Sequence, residues 1–337
     1  MGLRYKVDSN NDFVYLEVDK PTLNAREIQS ILLRLGTRLS LYLRCPLGIS
    51  VENKNGAAWS LRGRDIICHA CLMITRLFNA LGAPLLRLFQ YLGEVVLLAA
   101  DTFRSIFTHK LRWKLFLNQI VEIGLLSQLV VVTTGAFTGA VFSAQTFFQF
   151  NKIGMGSATG AVVSVAICRE LGPVLTALMV AGRVGAAMSA EIGTMKVTEQ
   201  IDALRALAVY PTDYLVVPRA LAMMVSMPLL VAECIAVGIA AGYFIAIFLL
   251  EINGTYYMAN MVRWTRNRDI IMGLSKAFCF GILIVFISCQ KGLSAREGAV
   301  GVGRATTEAV VNASLAVLIC NFFLTMLLNI IYPAGYQ

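Results

Sequence analysis

Hydrophobic residues in this chain gather in long runs, and the polar residues between them mark where the runs end. Residues 119–150, 158–181, 214–250, 270–290 and 306–332 are predominantly apolar. Each is long enough for a helix to cross a bilayer, which takes ~18 or more apolar residues. The pattern predicts an all-α integral membrane protein with about five transmembrane helices. The run 214–250 is interrupted by Pro218, Arg219, Pro228 and Glu233, which predicts a tilted or kinked span with an interfacial start. Gly135 and Gly139 lie four residues apart in the first run, a small-residue face that lets two helices approach closely.

The chain ahead of these spans reads differently. Residues 66–107 are apolar but broken at Gly82-Ala83-Pro84 and punctuated by Arg76, Arg87, Glu94, Asp101 and Arg104. That pattern suits amphipathic helices lying in the membrane interface, whereas a span over 85–100 would bury Arg87 and Glu94. Residues 1–65 read as a small soluble amino-terminal extension. Phe13–Val18 is a predicted strand and Leu47–Val51 a second. Between them Asn24 and Glu27 form a capping box for a helix whose Ile28, Ile31, Leu32, Leu35, Leu39 and Tyr42 share one face. The predicted organisation is a cytoplasmic extension over 1–65, interfacial helices over 66–114 and a transmembrane domain over 115–337.

Charge orients this arrangement. Of 29 Lys and Arg, 16 fall in residues 1–114 against 9 Asp and Glu, while the remainder holds 13 against 11. A basic amino-terminal third beside a membrane domain places that end on the cytoplasmic side, near anionic headgroups. With five spans the carboxyl end then lies outside. Arg263, Arg266 and Arg268 run against the charge rule in the loop 251–269, which the flanking spans nevertheless place outside. No aromatic-interleaved basic stripe supports nucleic-acid binding. The polar, charged start is not a cleavable signal peptide, and Lys6 stands where a myristoylation signal needs Ser or Thr.

Catalytic signatures are sparse. The chain has two histidines and no HExxH, GxSxG or phosphate-binding GxxxxGK[ST] pattern, so it is not expected to be an enzyme or to hydrolyse ATP itself. Cys68 and Cys71 form a lone CxxC without a second ligand pair, too little for a zinc site. The glycines Gly298, Gly301 and Gly303 follow no strand and read as a turn. Arg169 and Glu170 stand out within the second run, just before Gly172-Pro173. Charges at that depth are costly and face a cavity, a partner or each other. Adjacent residues on a helix point about 100° apart, so one of the two can face a cavity while the other finds a partner elsewhere. A structural pair tying helices together is the alternative.

The stretch 182–213, with Arg183, Lys196 and Arg205, reads as cytoplasmic. Within it Thr198–Ala208 reads as a short helix with Glu199, Asp202 and Arg205 on one exposed face, ended by Tyr210-Pro211. A bland connector and a lever pushed by another protein are both compatible with it.

The run GRVGAAMSAEIGTMKVTEQIDALRALAVYPTDYLVVPR over 182–219 resembles the signature of the MlaE-type (YrbE, or plastid TGD1-like) permeases, which are membrane subunits of ABC transporters that move phospholipid between membranes. The resemblance continues through EIGLLSQLVVVTTGAFTGAVFSAQ, CRELGPVLTALMVAGR and GVGRATTEAVVNASLAVLICNFFLTMLL, covering roughly residues 85–332. It implies a homodimer with a lipid cavity at its interface, a cytoplasmic ABC ATPase that binds the ATP, an MCE-domain protein on the far side, and a STAS-domain protein as a further partner. This chain would then need no cofactor of its own. The resemblance turns the polar helix 194–208 into the coupling helix, with Glu199, Gln200 and Asp202 as foremost contacts and Thr198 and Arg205 beside them. It matches Arg169 and Glu170 to a charged pair in the transport path, and Phe142, Gln145 and Phe150 to the lining of the lipid pocket. A bacterial inner membrane is the expected location and a plastid inner envelope the alternative. An importer permease for a small soluble nutrient remains open, although Phe137, Phe142, Phe147 and Phe148 make the path greasy. An ATP-independent transporter would want inverted repeats, and a membrane scaffold would leave Arg169-Glu170 unexplained.

Overall fold

A computed structural model describes residues 4–8, 13–17, 86, 89–108, 112–296 and 298–331. The chain divides into two units, residues 1–87 and 88–337. In the first unit β1 (Arg4–Asp8) and β2 (Phe13–Glu17) pair antiparallel, with Arg4 opposite Glu17 and Asp8 opposite Phe13. The strand predicted at Phe13–Val18 is present one residue shorter, and its partner β1 is new. The predicted helix after Asn24, the strand Leu47–Val51, the Cys68–Cys71 pair and the segment 66–85 lie outside the described residues.

The second unit is helical. Helix α1 covers 89–108. The first span, Trp113–Asn151, consists of α2 (Trp113–Ile123) and α3 (Gln128–Asn151), joined by one 3₁₀ turn. The second, Gly156–Val197, contains α4 (Thr159–Ala166), α5 (Gly172–Val180) and α6 (Ala186–Val197). These are separated by π turns at Ile167–Leu171 and Ala181–Gly185. After α7 (Gln200–Ala206) comes the third span, Thr212–Phe248, mostly α8 (Val217–Phe248). Helix α9 (Gly254–Trp264) leads to the fourth span, α10 (Asn267–Leu293), and the fifth, α11 (Gly298–Ile331). Among the described residues five helices are long and apolar enough to cross a membrane, the number predicted from the hydrophobic runs. The protein is a multi-pass membrane protein.

Two boundaries differ from the sequence reading. The helix of the second span runs on without a break to Val197, so residues 182–197 are helical. Val184, Met188 and Ile192 of this stretch are buried. Its charged residues are satisfied by neighbours, Arg183 donating to Ser127 Oγ at 2.7 Å and Glu191 accepting from Arg219 at 2.7 Å. Sequence hydropathy counts those charges as breaks because it cannot see their partners. The loop 251–269 likewise contains α9, which starts where the Asn253 side chain accepts from the Thr255 N–H at 3.0 Å.

The glycine face of the first span meets a matching face on the third. A Cβ on Gly139 would lie 2.0 Å from the Gly238 carbonyl oxygen, and one on Gly135 3.0 Å from that of Cys234. Ser143 Oγ donates to the Gly242 carbonyl at 3.1 Å. The backbones therefore touch, as small-residue packing in a membrane requires. The fourth span is the innermost, 56% of its apolar window being buried, while the first and fifth are 17% and 11% buried. Those two offer their surfaces to lipid or to another protein. Helix α1 lies against the ends of the third and fourth spans through Glu94–Gln290 at 2.6 Å, Phe103–Phe286 and a hydrogen bond from Ser105 to Asp213.

Candidate functional site

Pro173 has no N–H, so the carbonyl of Arg169, four residues earlier, cannot receive its usual helical bond. The chain responds with a π turn, in which the Gly172 N–H reaches the Ile167 carbonyl. The fourth span fits into this irregularity. A Cβ on Gly273 would stand 2.3 Å from the Cys168 carbonyl oxygen, so only glycine allows the approach. One turn further on, Lys276 donates to the orphaned Arg169 carbonyl at 3.0 Å. Its ammonium also donates to Glu170 Oε1 at 2.7 Å and to Thr325 Oγ1 at 2.8 Å. All three donors of the lysine are used, which is how a fully buried charge is tolerated here.

Glu170 receives further bonds from the fifth span, with Asn321 Nδ2 and Thr325 Oγ1 each 3.1 Å from a carboxylate oxygen. Its side chain is still 40% exposed. Arg169 turns the other way and pairs with the buried Asp269, both Nε and Nη2 lying 2.6 Å from Oδ1. The second Asp269 oxygen accepts the Arg266 N–H at 2.9 Å and so caps α10. Asp269 and Lys276 sit two turns apart on one helix, about 10 Å along the axis, and the long arginine and lysine stems cover the difference. Both members of the charged pair therefore find partners on the fourth span, and both keep an open side, Glu170 being 40% and Arg169 34% exposed.

Sequence reading singled out Arg169 and Glu170 but missed Asp269 and Lys276. A signal for the second existed, since Lys276 is the one charge in the apolar run 270–290 and a lone intramembrane charge asks for a partner. Asp269, at the edge of that run, gave no such signal.

The proposed pocket residues are only partly brought together. Phe142 packs against the buried cluster of Val163, Ile167, Cys168, Val231, Ile235 and Ala277 beside the charged pair. Gln145 is exposed one turn on, and Phe150 lies at the far end of α3, its carbonyl accepting the Met155 N–H at 2.9 Å. A cavity of about 290 Å³ lies instead further back along the first two spans, lined by Thr133, Thr134, Phe137, Thr138, Leu175 and Met179.

The coupling segment differs in detail from the predicted helix. The second span ends at Val197, Thr198 caps it by donating to the Thr194 carbonyl at 2.8 Å, and Glu199 takes the left-handed conformation with φ 61°. Helix α7 starts only at Gln200 and stops at Ala206, with Ala208 again at positive φ, 55°. The helix 194–208 is thus two helices joined at Glu199. It ends before Tyr210-Pro211, through the turn at Ala208. Glu199 precedes α7 and does not share its face with Asp202 and Arg205. Those two pair at 2.8 Å, and Lys196 reaches across the joint to Asp202 at 3.3 Å. Thr198, Glu199, Gln200, Asp202 and Arg205 are all exposed, while Ile201 is buried and anchors the segment.

Among the described residues no group of three or more His, Cys, Asp or Glu stands in a position to hold a metal ion.

Comparison with known proteins places this arrangement. The family model described as permease MlaE matches residues 116–327, a stretch that reaches into all five spans and holds the charged cluster. A probable ABC transporter permease protein of Rickettsia bellii is 41% identical over 255 residues, covering 76% of this chain and 98% of that protein. A probable ABC transporter permease protein of Synechocystis is 41% identical over 240 residues, 71% of this chain and 91% of that protein. The chloroplastic protein TRIGALACTOSYLDIACYLGLYCEROL 1 of Arabidopsis thaliana is 36% identical over 232 residues, 69% of this chain and 66% of that protein. With the family model matching residues 116–327 and relatives 41% identical over nearly their whole length, the chain belongs to the MlaE family of ABC transporter permeases.

Proposed function

We propose that this permease moves phospholipid between an inner and an outer membrane, driven by a separate cytoplasmic ATPase. The observation that carries the reading is Glu170. A carboxylate held half exposed within an apolar span, on a lysine with no donor to spare, offers a fixed polar contact at a depth where only a polar part of a membrane-borne cargo would use it. The Arabidopsis relative, named for a glycerolipid, supports the same class of cargo. Phe142 and Phe150 suit acyl chains and Gln145 a polar head.

In this reading two copies of the chain enclose the lipid path. Each sits on an ATPase subunit that holds the ATP, an MCE-domain protein takes or delivers lipid on the far side, and a STAS-domain protein joins the assembly. The membrane is a bacterial inner membrane, or a plastid inner envelope. Thr198, Glu199, Gln200, Asp202 and Arg205 meet the ATPase. Closure of the ATPase pair pushes this segment, and the second span carries the push towards Arg169 and Glu170, 27 residues from Val197 or ~40 Å of helix. The two π turns are the places where that helix yields.

Native mass spectrometry of the complex, extracted gently from its own membrane, tests the proposal. Two copies of this chain with an ATPase, an MCE-domain protein and bound phospholipid are expected. A complex carrying a soluble-ligand receptor and no retained lipid would turn the reading into nutrient import.

A further inference from the structure

One carboxylate in the spans is left over. Glu233 interrupts the apolar run 214–250. Helix α8 places it near its middle, 16 residues from Val217 and 15 from Phe248, or ~22–24 Å of helix either way. Its neighbours Cys234 and Ile235 pack on Gly135 of the first span and Gly172 of the second, so it lies close to the depth of the Arg169–Glu170 pair. A glutamate side chain is too short to carry its carboxylate from there to the headgroups, and a charge at that depth calls for a partner. The other acidic side chains of the five spans have one. Glu122, Glu170, Glu191, Asp213, Asp269 and Glu308 each accept a hydrogen bond. Glu233 accepts none from any described residue.

The helix face that carries Glu233 is open as well. Leu230, Val231, Cys234, Ile235 and Gly238 are the buried side of α8 at this level. Leu229, Glu233, Ala236 and Ala240 follow one another at intervals of three or four on the opposite side, with Ala232 beside them. Glu233 is half-buried and the three alanines are exposed. Large side chains bound the alanines, Leu229 at one end being 64% exposed and Phe244 at the other 59%. The outcome is a shallow notch, about 12 Å long from Ala232 to Ala240, with a carboxylate on its rim. Small residues spaced in this way admit the backbone of another helix. The first and third spans already meet by that device at Gly139 and Gly238. Lipid tails can fill the notch, but they bring the carboxylate no donor.

We propose that this face of the third span receives a membrane-spanning helix of a different subunit, one that carries a lysine or arginine opposite Glu233. The docking is independent of what the permease carries. A second copy of this chain fits the face poorly. Two-fold packing of the stripe on itself sets two Glu233 carboxylates against each other. The basic side chains within the spans, Arg169, Arg183, Arg219 and Lys276, are each already held inside their own copy. A cationic helix answers both halves of the surface. Its backbone enters the alanine notch between Leu229 and Phe244, and its ammonium or guanidinium gives Glu233 the charge-assisted hydrogen bond it lacks.

Photocrosslinking of the full chain in its own membrane tests this. Benzoylphenylalanine replaces Leu229, one turn before Glu233 and outside the notch, and the peptide linked on irradiation is sequenced. The expected adduct is with an apolar segment of about 20 residues in another protein, bearing a lysine or arginine within two turns of the linked residue. Linkage to a second copy of this chain, to residues 1–85 of the same chain, to lipid alone or to a helix without a basic residue overturns the proposal, as does the absence of any adduct. Glu233→Leu is expected to lower recovery of that subunit with the permease about tenfold, the scale of one polar contact between membrane helices. Ala236→Phe, which fills the notch and keeps the carboxylate, should do the same. Both variants should leave the unfolding temperature of the permease purified alone unchanged, which separates docking from folding. Reversing both charges, Glu233→Lys with the partner's basic residue replaced by Glu, should restore recovery. Undiminished recovery with Glu233→Leu, or no restoration by the reversal, overturns the proposal.

Discussion

The charged cluster around Lys276 and the coupling segment around Asp202 are made from the same kinds of ion pair, yet they do opposite things. At Lys276 the lysine side chain is 1% exposed and each of its donors has an acceptor. At Asp202 the carboxylate is 49% exposed and its Arg205 partner 60%. Water and salt can replace the second set of contacts at little cost, while nothing in the bilayer can replace the first. Charge inside the spans therefore fixes the mutual position of the second, fourth and fifth spans. Charge at the segment's tip leaves a surface free to change partners.

That contrast can be broken at several points. Lys276→Ala leaves Glu170 without its main partner and the Arg169 carbonyl orphaned. The expected loss is ~3–5 kcal/mol, as for other broken buried pairs, read by unfolding of the purified protein in detergent. Adding Glu170→Gln should return part of it, and a loss under about 1 kcal/mol would mean that the cluster is not what fixes these spans. Gly139→Ala drives a Cβ into the Gly238 carbonyl and should cost ~1–3 kcal/mol. Gly182→Ala, whose Cβ meets nothing within 4 Å, is the control and should cost nothing. At the joint, Glu199→Val should lose ~1 kcal/mol and Glu199→Gly none, because the left-handed conformation penalises a side chain. An equal response to both would remove backbone strain from the account. Asp202→Ala should cost no more than ~1 kcal/mol, an amount erased by added salt. Under the proposed function it should nevertheless weaken co-purification of the ATPase, and undiminished recovery would take Asp202 out of that contact.

Much of the fold was legible because the bilayer imposes its own period and length on the sequence. The five runs and the Gly135–Gly139 face required no knowledge of neighbours. The cluster was half legible. Arg169-Glu170 and Gly172-Pro173 announce an irregular, charged point in a span, but their partners lie about a hundred residues away on another helix, and one sequence carries no record of that pairing. The same limitation hid the length of the second span, since Arg183 and Glu191 look like the end of a helix until Ser127 and Arg219 are seen beside them. The left-handed turn at Glu199 was invisible for a different reason. No glycine or asparagine marks it, and the Lys196–Asp202 pair across the joint and the buried Ile201 beside it are apparent only in the folded chain.

Pro173 also constrains how the protein is made. Spans enter the membrane in order, and the second arrives with the Arg169 carbonyl and the Glu170 carboxylate still without the ammonium that satisfies them. That donor is borne by the fourth span, emerging about a hundred residues of synthesis later. Until then the second span is an unfinished helix in hydrocarbon, where an unmet polar group costs several kcal/mol. The newborn protein therefore has a defined late event, the docking of Lys276, before which it is a natural target for membrane quality control and after which only the fifth span, with Asn321 and Thr325, remains to close the cluster.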